Sequence, residues 1–374
     1  MVSSPRRVGV LTGDGIGPEV VPAAIEVADA AASAEEFHID WDELPFGAAA
    51  IASHGDPVPD VTLSALDDLG LWIVGPHDSA SYPPEHSGRT PGAVLRTRFG
   101  LFANLRPAKA FSGVPATKPE IDVLIVRENS EGLYADRNMA VGSGEFMPTP
   151  DVALAVGLVT RPASERIARV AFEAARERAG SGRPARLTIV HKANVLRLTT
   201  GLFRDACREI GKEFPDVEVT EQHVDAMAAL LVRRPADFDV VVTENLFGDI
   251  LSDLAGELAG SLGIAGSVNC SATQVMAQAT HGAAPDIAGH GVANPVAMIA
   301  SVAMGFRRYG LMTADPALVA AADRMDSAVA GTLAASVATV DLGGSASTGD
   351  FAAEVARRVT RSRIEGVRSA PGPA

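Results

Sequence analysis

Two carboxylates, Asp249 and Asp253, stand four residues apart in NLFGDILSD (245–253), a segment of helical character. At that spacing they lie on one face of the helix, where two like charges repel by roughly a few tenths of a kcal/mol unless a cation lies between them. The interleaved Ile250 and Leu251 indicate a partly buried helix rather than a solvated acidic face. Because hard oxygen donors suit Mg²⁺ or Mn²⁺, the spacing predicts a divalent metal site.

A lysine and a further aspartate follow strand-like runs. Asp225 lies in HVDAMA, and Lys192 lies in VHKANV at the end of an apolar strand. The chain has only four lysines among 32 basic residues, so a lysine at this position is not part of a general basic surface. Burial lowers the pKa of a lysine and makes it useful as a base, so Lys192 is a candidate general base.

Three arginines stand where ordinary surface charges are not expected. Arg106 precedes Pro107, Arg127 ends an apolar strand, and Arg96 lies shortly before them in VLRTRFGLFANLRPAK. Planar guanidinium groups bind carboxylates through paired hydrogen bonds, so three of them suit a di- or tricarboxylic acid. Tyr134 belongs to the same cluster, in VRENSEGLY.

A glycine-rich loop, LTGDGIGPEV (11–20), follows the first strand-like run. Its spacing is G-x-G-x-G rather than the G-x-G-x-x-G of a dinucleotide-binding fold, and the carboxylate of Asp14 inside it would repel a pyrophosphate. The loop is therefore interpreted as a tight structural turn with some ligand-facing role, not as a Rossmann fingerprint.

The elements that must position these residues alternate between short β-branched runs and segments of helical period. The strand-like runs are 7–12, 71–75, 121–126, 186–190 and 238–243, and the helical segments are 18–32, 91–98, 163–178, 198–211 and 246–259. This rhythm is typical of an α/β protein with much parallel sheet. After residue 260 a Gly/Ala/Ser-rich loop precedes three helical stretches near 294–308, 315–331 and 348–360.

Composition limits the partners. A formal charge of −14 opposes broad contact with nucleic acid or an anionic membrane, and the chain has no apolar run near the roughly 20 residues that span a bilayer. The start lacks a signal-peptide core, and Cys207 and Cys270 match no zinc or redox spacing, so they are expected to be buried in a reducing compartment. A cytoplasmic protein of two domains is expected from these features and from 374 residues.

The motifs together resemble one family, the β-decarboxylating dehydrogenases, which comprise isopropylmalate, isocitrate, homoisocitrate and tartrate/D-malate dehydrogenases. They occur in family order over nearly the whole chain: GDGIGPE (13–19), LFANLRPAK (101–109), VRENSEGLY (126–134), SERIARVAF (164–172), HKANVL (191–196), VDAMA (224–228), NLFGDILSD (245–253), HGAAPDIAG (281–289) and VANP (292–295).

The resemblance implies a fold of two α/β domains that share a large mixed sheet and contain no Rossmann site. Residues 1–101 with 260–374 would form the terminal, NAD-binding domain, and residues 102–259 the dimerisation and metal/substrate domain. It also implies a homodimer with shared active sites.

In such a site Arg96, Arg106 and Arg127 would hold the carboxylates of a 3-substituted malate. Asp249, Asp253 and Asp225 of the partner subunit would hold Mg²⁺ or Mn²⁺. Lys192, also from the partner, would accept the hydroxyl proton, and Tyr134 would deliver a proton to C3.

The resemblance also implies NAD as cofactor, bound by a loop that contains His281, Gly282, Asp286, Ile287 and Asn294. A carboxylate at Asp286 would accept from the adenosine ribose hydroxyls and repel a 2′-phosphate, whereas NADP-selective relatives carry Lys-Tyr at the positions of Asp286 and Ile287.

The group at C3 of the malate is the open point. The helix that reads it carries Gly92 and Ala93 where isopropylmalate enzymes have leucines, and Thr90 keeps a hydroxyl found in the isocitrate pattern. Arg89 would bind an anionic substituent or would face solvent. An isocitrate- or homoisocitrate-like substrate, or an anionic analogue, is expected, with 3-isopropylmalate or tartrate/D-malate as alternatives and a non-catalytic regulatory subunit as a further one.

Overall fold

The structure is a computed structural model that describes residues 6–86, 90–134, 144–180 and 184–368, with side chains as far as 361. Its strands are β1 (Arg6–Leu11), β2 (Ile39–Glu43), β3 (Leu71–Val74), β4 (Ala103–Lys109), β5 (Asp122–Glu128), β6 (Glu145–Thr149), β7 (Val152–Ala155), β8 (Arg186–His191), β9 (Glu218–His223), β10 (Val240–Thr243), β11 (Val268–Cys270) and β12 (Val275–Gln278). Its helices are α1 (Gly17–Ala34), α2 (Gly47–His54), α3 (Asp60–Asp67), α4 (Pro91–Arg98), α5 (Arg161–Ala179), α6 (Thr199–Gly211), α7 (Val224–Arg233), α8 (Asn245–Ala259), α9 (Val296–Thr313), α10 (Pro316–Ala334) and α11 (Thr348–Arg368).

Ten strands form one sheet in the order β2-β1-β3-β12-β11-β4-β5-β10-β8-β9. Three neighbouring pairs at the centre are antiparallel: β12 with β11, β11 with β4, and β4 with β5. The pairs outside this centre are parallel, for example β1 with β3, β3 with β12, and β10 with β8. The sheet is therefore mixed, as the family resemblance implied. The remaining strands, β6 and β7, form a separate antiparallel pair.

Helices cover both faces of the sheet, which explains why inner strands such as β3 and β10 are apolar at nearly every position. Along β10, Val240 and Val242 belong to the largest core cluster, whereas Val241 belongs to a second cluster beneath α7 and α8. In β3, Trp72 belongs to a third core cluster. Its ring packs edge-on against that of Phe99, with 5.0 Å between the ring centroids. Strands buried on both faces lose the polar and apolar alternation of half-buried strands.

The predicted segments of regular structure are confirmed, but the Gly/Ala/Ser-rich segment after residue 260 is more ordered than expected. It was predicted to be a loop, yet it contributes β11 and β12 to the centre of the sheet. These strands have three and four residues, too few to show a period in the sequence.

Two further findings concern the expectations from composition. Cys207 and Cys270 are both buried and unbridged, as predicted. Within the described ranges, no helix has the length and apolar character needed to cross a bilayer.

Candidate active site

A cavity of about 310 Å³, here called the front cavity, collects the arginines singled out in the sequence. Arg96 reaches it from α4, Arg106 from β4 and Arg127 from β5, and Asp249 reaches it from α8. The structure therefore brings together three guanidinium groups that are distant in the sequence. The cavity that these three guanidinium groups line is suited to a ligand with several carboxylates.

Asp249 lies at the centre of this charge cluster. One of its carboxylate oxygens accepts from Arg127 Nη1 and, at 3.2 Å, from Arg106 Nη1. The other accepts from the Tyr134 hydroxyl at 3.3 Å. Arg106 Nη1 also lies 3.2 Å from Asp253 Oδ1, so the four-residue spacing does place both carboxylates beside one point. Their side chains are 33% and 57% exposed, which leaves oxygen atoms accessible.

The arginines are held in place by neutral amides. Arg127 is buried, and its Nε and Nη2 donate to Asn245 Oδ1 at 3.0 and 2.7 Å. Arg106 Nε donates to Asn104 Oδ1 at 2.6 Å. A Cβ at Gly248 would lie 2.6 Å from Arg127 Cγ, so glycine at that position lets the arginine pass beneath α8.

Lys192 and Asp225 form a second, separate group. Lys192, just after β8, donates to Asp225 in the first turn of α7, and this hydrogen bond lowers the pKa of Asp225. The Lys192 side chain is 24% exposed, so the expectation of a buried lysine is not met within one chain. Among the described residues, no hydrogen bond or ion pair joins this group to Asp249 or Asp253.

The three predicted metal ligands are accordingly not assembled by one chain. Across the residues that the structure describes, no three carboxylate, imidazole or thiol side chains come together in a way that would hold a metal ion. Asp249 lines the front cavity, Asp253 lies beside it against Arg106, and Asp225 is paired with Lys192 instead. That Asp225 of a partner subunit joins Asp249 and Asp253 stays a prediction.

The predicted cofactor loop borders the front cavity at one end. His281 and Gly282 line the cavity, and burial lowers the pKa of the His281 imidazole. Asp286 is exposed and has no hydrogen bond or ion pair within the described part of the chain, while Ile287 packs against the main core. Asn294 is buried, accepts from Val296 N at 3.0 Å and donates to Asp341 at 2.9 Å.

The glycine loop supports that cofactor loop. Gly13 and Gly15 have φ values of +78° and +57°, and a Cβ at Gly15 would lie 2.0 Å from the Ala283 carbonyl oxygen. Ile16 N donates to the same oxygen at 2.9 Å. Asp14 accepts from the backbone of Ala48 and Asp78 and from the Tyr82 hydroxyl, so the acid that would repel a pyrophosphate anchors neighbouring loops instead.

The start of α4 differs from the expectation for Thr90. Its hydroxyl accepts from Ala93 N at 3.3 Å and caps the helix, and Thr90 is not among the residues that line the front cavity. Arg89 lies outside the described residues. A Cβ at Gly92 would lie 3.1 Å from Arg96 Nη1 and 3.2 Å from His77 Nε2, so this face of α4 is occupied by an arginine and a histidine.

Sequence reasoning missed several polar residues of the front cavity. They are His77, Asn104, Asn129, Ser267, Asn269 and Thr280. Asn104 could have been found, because it lies two residues before Arg106 and side chains at that spacing share a face of a strand. Ser267 and Asn269 lie in and beside a strand too short to be recognised.

The chain is similar to known proteins in both sequence and fold. The sequence model described as isocitrate/isopropylmalate dehydrogenase matches residues 7–355. A 3-isopropylmalate dehydrogenase of Archaeoglobus fulgidus is 39% identical over 94% of this chain and 98% of the relative. An isocitrate/homoisocitrate dehydrogenase of Thermus thermophilus is 42% identical over 92% and 96%, respectively. A crystal structure of isocitrate dehydrogenase from Methylococcus capsulatus superposes with a TM-score of 0.82 at 38% identity, covering 95% of this chain and 99% of that chain.

Proposed function

Since the chain belongs to the isocitrate/isopropylmalate dehydrogenase family and is a decarboxylating dehydrogenase acting on a CH–OH group, we propose a specific substrate class. The substrate is a (2R)-malate with a polar or anionic group at C3, and NAD is the hydride acceptor. The products are a 2-oxo acid, CO₂ and NADH.

The lining of the front cavity carries this proposal. It contains three arginines, several amides and hydroxyls, and two histidines, but no leucine, isoleucine, valine or phenylalanine among the described residues. An isopropyl group would meet no apolar wall there and would lose the favourable burial that such a group gains, about 25 cal/mol per Å². A carboxylate-bearing substituent would instead meet Arg96 and His77 beside Gly92.

The residues present fit a hard divalent cation, Mg²⁺ or Mn²⁺. Asp249 and Asp253 offer accessible carboxylate oxygens at one point, and Asp225 of the partner subunit would complete the set. Such a cation, when bound, supplies Lewis-acid polarisation of the substrate oxygen. The contacts to Arg106 and Arg127 fix the orientation of Asp249, because ligating carboxylates work best when other hydrogen bonds hold them.

The chain's own residues handle the protons. Arg96, Arg106 and Arg127 orient the malate, and Lys192 from the partner subunit takes the hydroxyl proton as hydride leaves C2. Tyr134 then donates a proton to C3 after CO₂ has left. Its hydroxyl lies 3.3 Å from Asp249, which places it beside the carboxylate that faces the substrate.

The cofactor assignment rests on the loop from His281 to Asn294. His281 and Gly282 border the front cavity, so a nicotinamide ring held there would lie beside the malate. Asp286 is exposed and available to accept from ribose hydroxyls, and its charge would repel the 2′-phosphate of NADP. Asn294 and Ile287 shape the same loop through their packing.

Assembly as a homodimer is part of the proposal. The β6–β7 pair exposes Phe146, Met147 and Leu154, which are 41%, 63% and 47% exposed, and Leu198, six residues after Lys192, is 87% exposed. Contiguous exposed apolar residues mark association surfaces, and a two-fold dimer buries the same surface on both copies. Residues 102–259 would then form the dimerisation and metal/substrate domain, and 1–101 with 260–374 the NAD-binding domain.

A substrate panel tests the proposal. The purified protein is assayed with NAD and Mn²⁺ for NADH formation and CO₂ release on isocitrate, homoisocitrate, 3-isopropylmalate, tartrate and D-malate. We expect kcat/KM for the best anionic or polar substrate to exceed that for isopropylmalate at least tenfold, about 1.4 kcal/mol of transition-state binding. A preference for isopropylmalate would contradict the substrate class, and no turnover of any malate at millimolar concentration would contradict the catalytic assignment.

A further inference from the structure

A second and larger cavity, of about 430 Å³ and here called the rear cavity, lies on the opposite face of the same central strands. Along β4, Asn104 and Arg106 face the front cavity, whereas Leu105 and Pro107 line the rear cavity. In β11, Val268 lines the rear cavity while Asn269 lines the front one. This alternation follows from the two-residue period of a strand, so one layer of backbone separates the two cavities.

The rear cavity differs from the front cavity in its chemistry. Apolar side chains form most of its wall, and the largest of them are Leu105, Phe111, Leu124, Ile264, Met304 and Val329. Cavities of this size with an apolar wall and a few convergent polar groups are the usual form of a small-molecule site. The malate of the proposed reaction has too little apolar surface to use such a wall.

Some cationic side chains of the rear cavity donate hydrogen bonds to carboxylates of the protein, and others do not. Arg178 donates to Asp239 at 2.7 Å and to Asp122 at 2.9 Å, and Arg307 donates to two aspartates at 2.5 Å. Arg308 lies 3.9 Å from Glu173 and also interacts with the Cys270 thiol and the Glu177 carboxyl, but its buried Nε has no hydrogen-bond acceptor in the described part of the chain.

Lys109, a further cation of the cavity, makes no hydrogen bond or ion pair among the residues described, although its charge acts on the Asp326 carboxyl of the same cavity. It stands at the exposed end of β4. A buried donor without an acceptor costs about 1–3 kcal/mol, so an anion bound beside Arg308 would recover part of that cost.

We propose that the rear cavity binds a small amphipathic monocarboxylate, with its carboxylate on Arg308 and Lys109 and its apolar body against Leu124, Met304 and Val329. Occupancy is coupled to the active site through β4 and β11. A ligand that displaces Leu105 or Val268 also moves the backbone that carries Asn104, Arg106 and Asn269.

The first experiment measures binding by titration calorimetry on the full-length protein. The probes are straight-chain, branched and aromatic monocarboxylates of four to nine carbons, each compared with the primary amine and the alcohol of the same body. We expect saturable binding of at least one acid and at least tenfold weaker binding of its amine and alcohol. Equal binding of the three, or no binding of any acid at millimolar concentration, would overturn the proposal.

Variants then assign the cavity, since a carboxylate could also enter the arginine-rich front cavity. Arg308→Gln and Lys109→Gln should each weaken binding of the acid at least fivefold, and Ala330→Leu should weaken it by filling the rear cavity. Arg96→Gln, in the front cavity, and Arg169→Gln, an exposed residue paired with Glu213, should leave it within twofold. Loss of binding in Arg96→Gln with retention in Arg308→Gln would place the acid in the front cavity and refute the inference.

Coupling is tested by titrating the acid with and without a saturating malate substrate, in the absence of NAD. Linkage requires the two ligands to alter each other's affinity by the same factor, and we expect a factor of at least threefold. Independent binding would contradict the coupling. Because the binding titration needs no turnover, failure of the rear site and failure of the proposed enzyme function are distinguishable.

Discussion

At the scale of single residues, the front cavity depends on the lack of a side chain at Gly92. The space that its Cβ would fill is bordered by Arg96 Nη1 and His77 Nε2, at 3.1 and 3.2 Å. Burial and the nearby Arg96 guanidinium lower the pKa of His77, against the opposing charges of Asp14 and Asp78. A neutral imidazole beside a guanidinium offers a hydrogen bond without adding a second repelling charge.

Gly92→Ala should therefore impair substrate binding more than chemistry. The added methyl group shifts the Arg96 guanidinium or the His77 ring by a few tenths of an ångström, and we expect KM to rise roughly tenfold while kcat changes less than threefold. Steady-state kinetics with the best substrate measure both values. Gly201→Ala in α6, where a Cβ meets nothing within 4 Å, is the matched control and should leave KM unchanged. Equal KM values for the two variants would show that Gly92 does not border the substrate.

A second residue-scale feature is the buried carboxyl of Glu244, at the junction of β10 and α8. Burial, reinforced by the nearby Glu128 carboxylate, raises the pKa of Glu244 to about 8. The folded protein therefore holds a proton between about pH 4.5 and 8 that the unfolded chain has already released. Stability falls as pH rises through that window, because the native state binds more protons there.

Glu244→Gln should abolish this part of the pH dependence. We expect the variant to be more stable than the wild type at pH 8.5 by a few kcal/mol, at roughly 1.4 kcal/mol for each pKa unit, and nearly equal to it at pH 5. Urea unfolding at the two pH values gives the comparison. Glu257→Gln, an exposed glutamate on the same helix, should keep the wild-type slope. A parallel shift at both pH values would show that Glu244 does not titrate in this range.

At the scale of elements, the turn between β1 and α1 contacts the loop from His281 to Asn294. The turn before α1 packs against Ala283, and Glu19 on α1 accepts from Gly289 N at 2.6 Å, so the cofactor loop is fixed at two points. Asp286 lies between these points and remains exposed. A substitution at Asp286 should therefore alter the charge of the loop with little change in its path.

Cofactor preference should follow that charge. In Asp286→Lys with Ile287→Tyr, the ratio of kcat/KM for NADP to that for NAD should rise at least 100-fold, about 2.8 kcal/mol, because a repelling carboxylate is replaced by a cation. Asp68→Lys, the same charge reversal on an exposed helix end, controls for net charge. An unchanged ratio would show that this loop does not contact the adenosine ribose of the cofactor.

Patterns in the sequence predicted the long elements well and the short central ones poorly. Helices such as α4 and α8 were predicted within a residue of their ends, since apolar period and Pro91 mark them clearly. The centre of the sheet was missed where β11 and β12 are short, and Asn269 in β11 was missed with it. Lys192 was expected to be buried because its strand is apolar, but the residue lies past the strand end and pairs with Asp225.

At the scale of the whole molecule, the two groups proposed for catalysis are separated within one chain. Asp249 lines the front cavity, with Tyr134 hydrogen-bonded to it and Asp253 beside Arg106, and Lys192 with Asp225 is not among the residues of that cavity. Under the proposed function, each active site needs both copies of the chain, and we expect no turnover by a single chain.

Subunit complementation tests this arrangement. Lys192→Met and Asp253→Asn homodimers should each be inactive, because each site would lack the base or a metal ligand. When they are unfolded, mixed in equal amounts and refolded, half of the dimers are hybrids with one intact site, and about one quarter of the wild-type turnover should return. Refolding each variant alone is the control. No recovery, with dimers confirmed by light scattering, would show that each site is built within one chain.

The pairing of β3 with β12 has a consequence for synthesis of the chain. Val74 leaves the ribosome about 200 residues before Gln278, the end of the strand that covers that edge. At about 5 to 20 residues per second, the apolar edge of β3 stays uncovered for roughly 10 to 40 seconds. Exposed strand edges recruit other strands, so we expect the nascent amino-terminal segment to need shielding of this edge until β12 has been made.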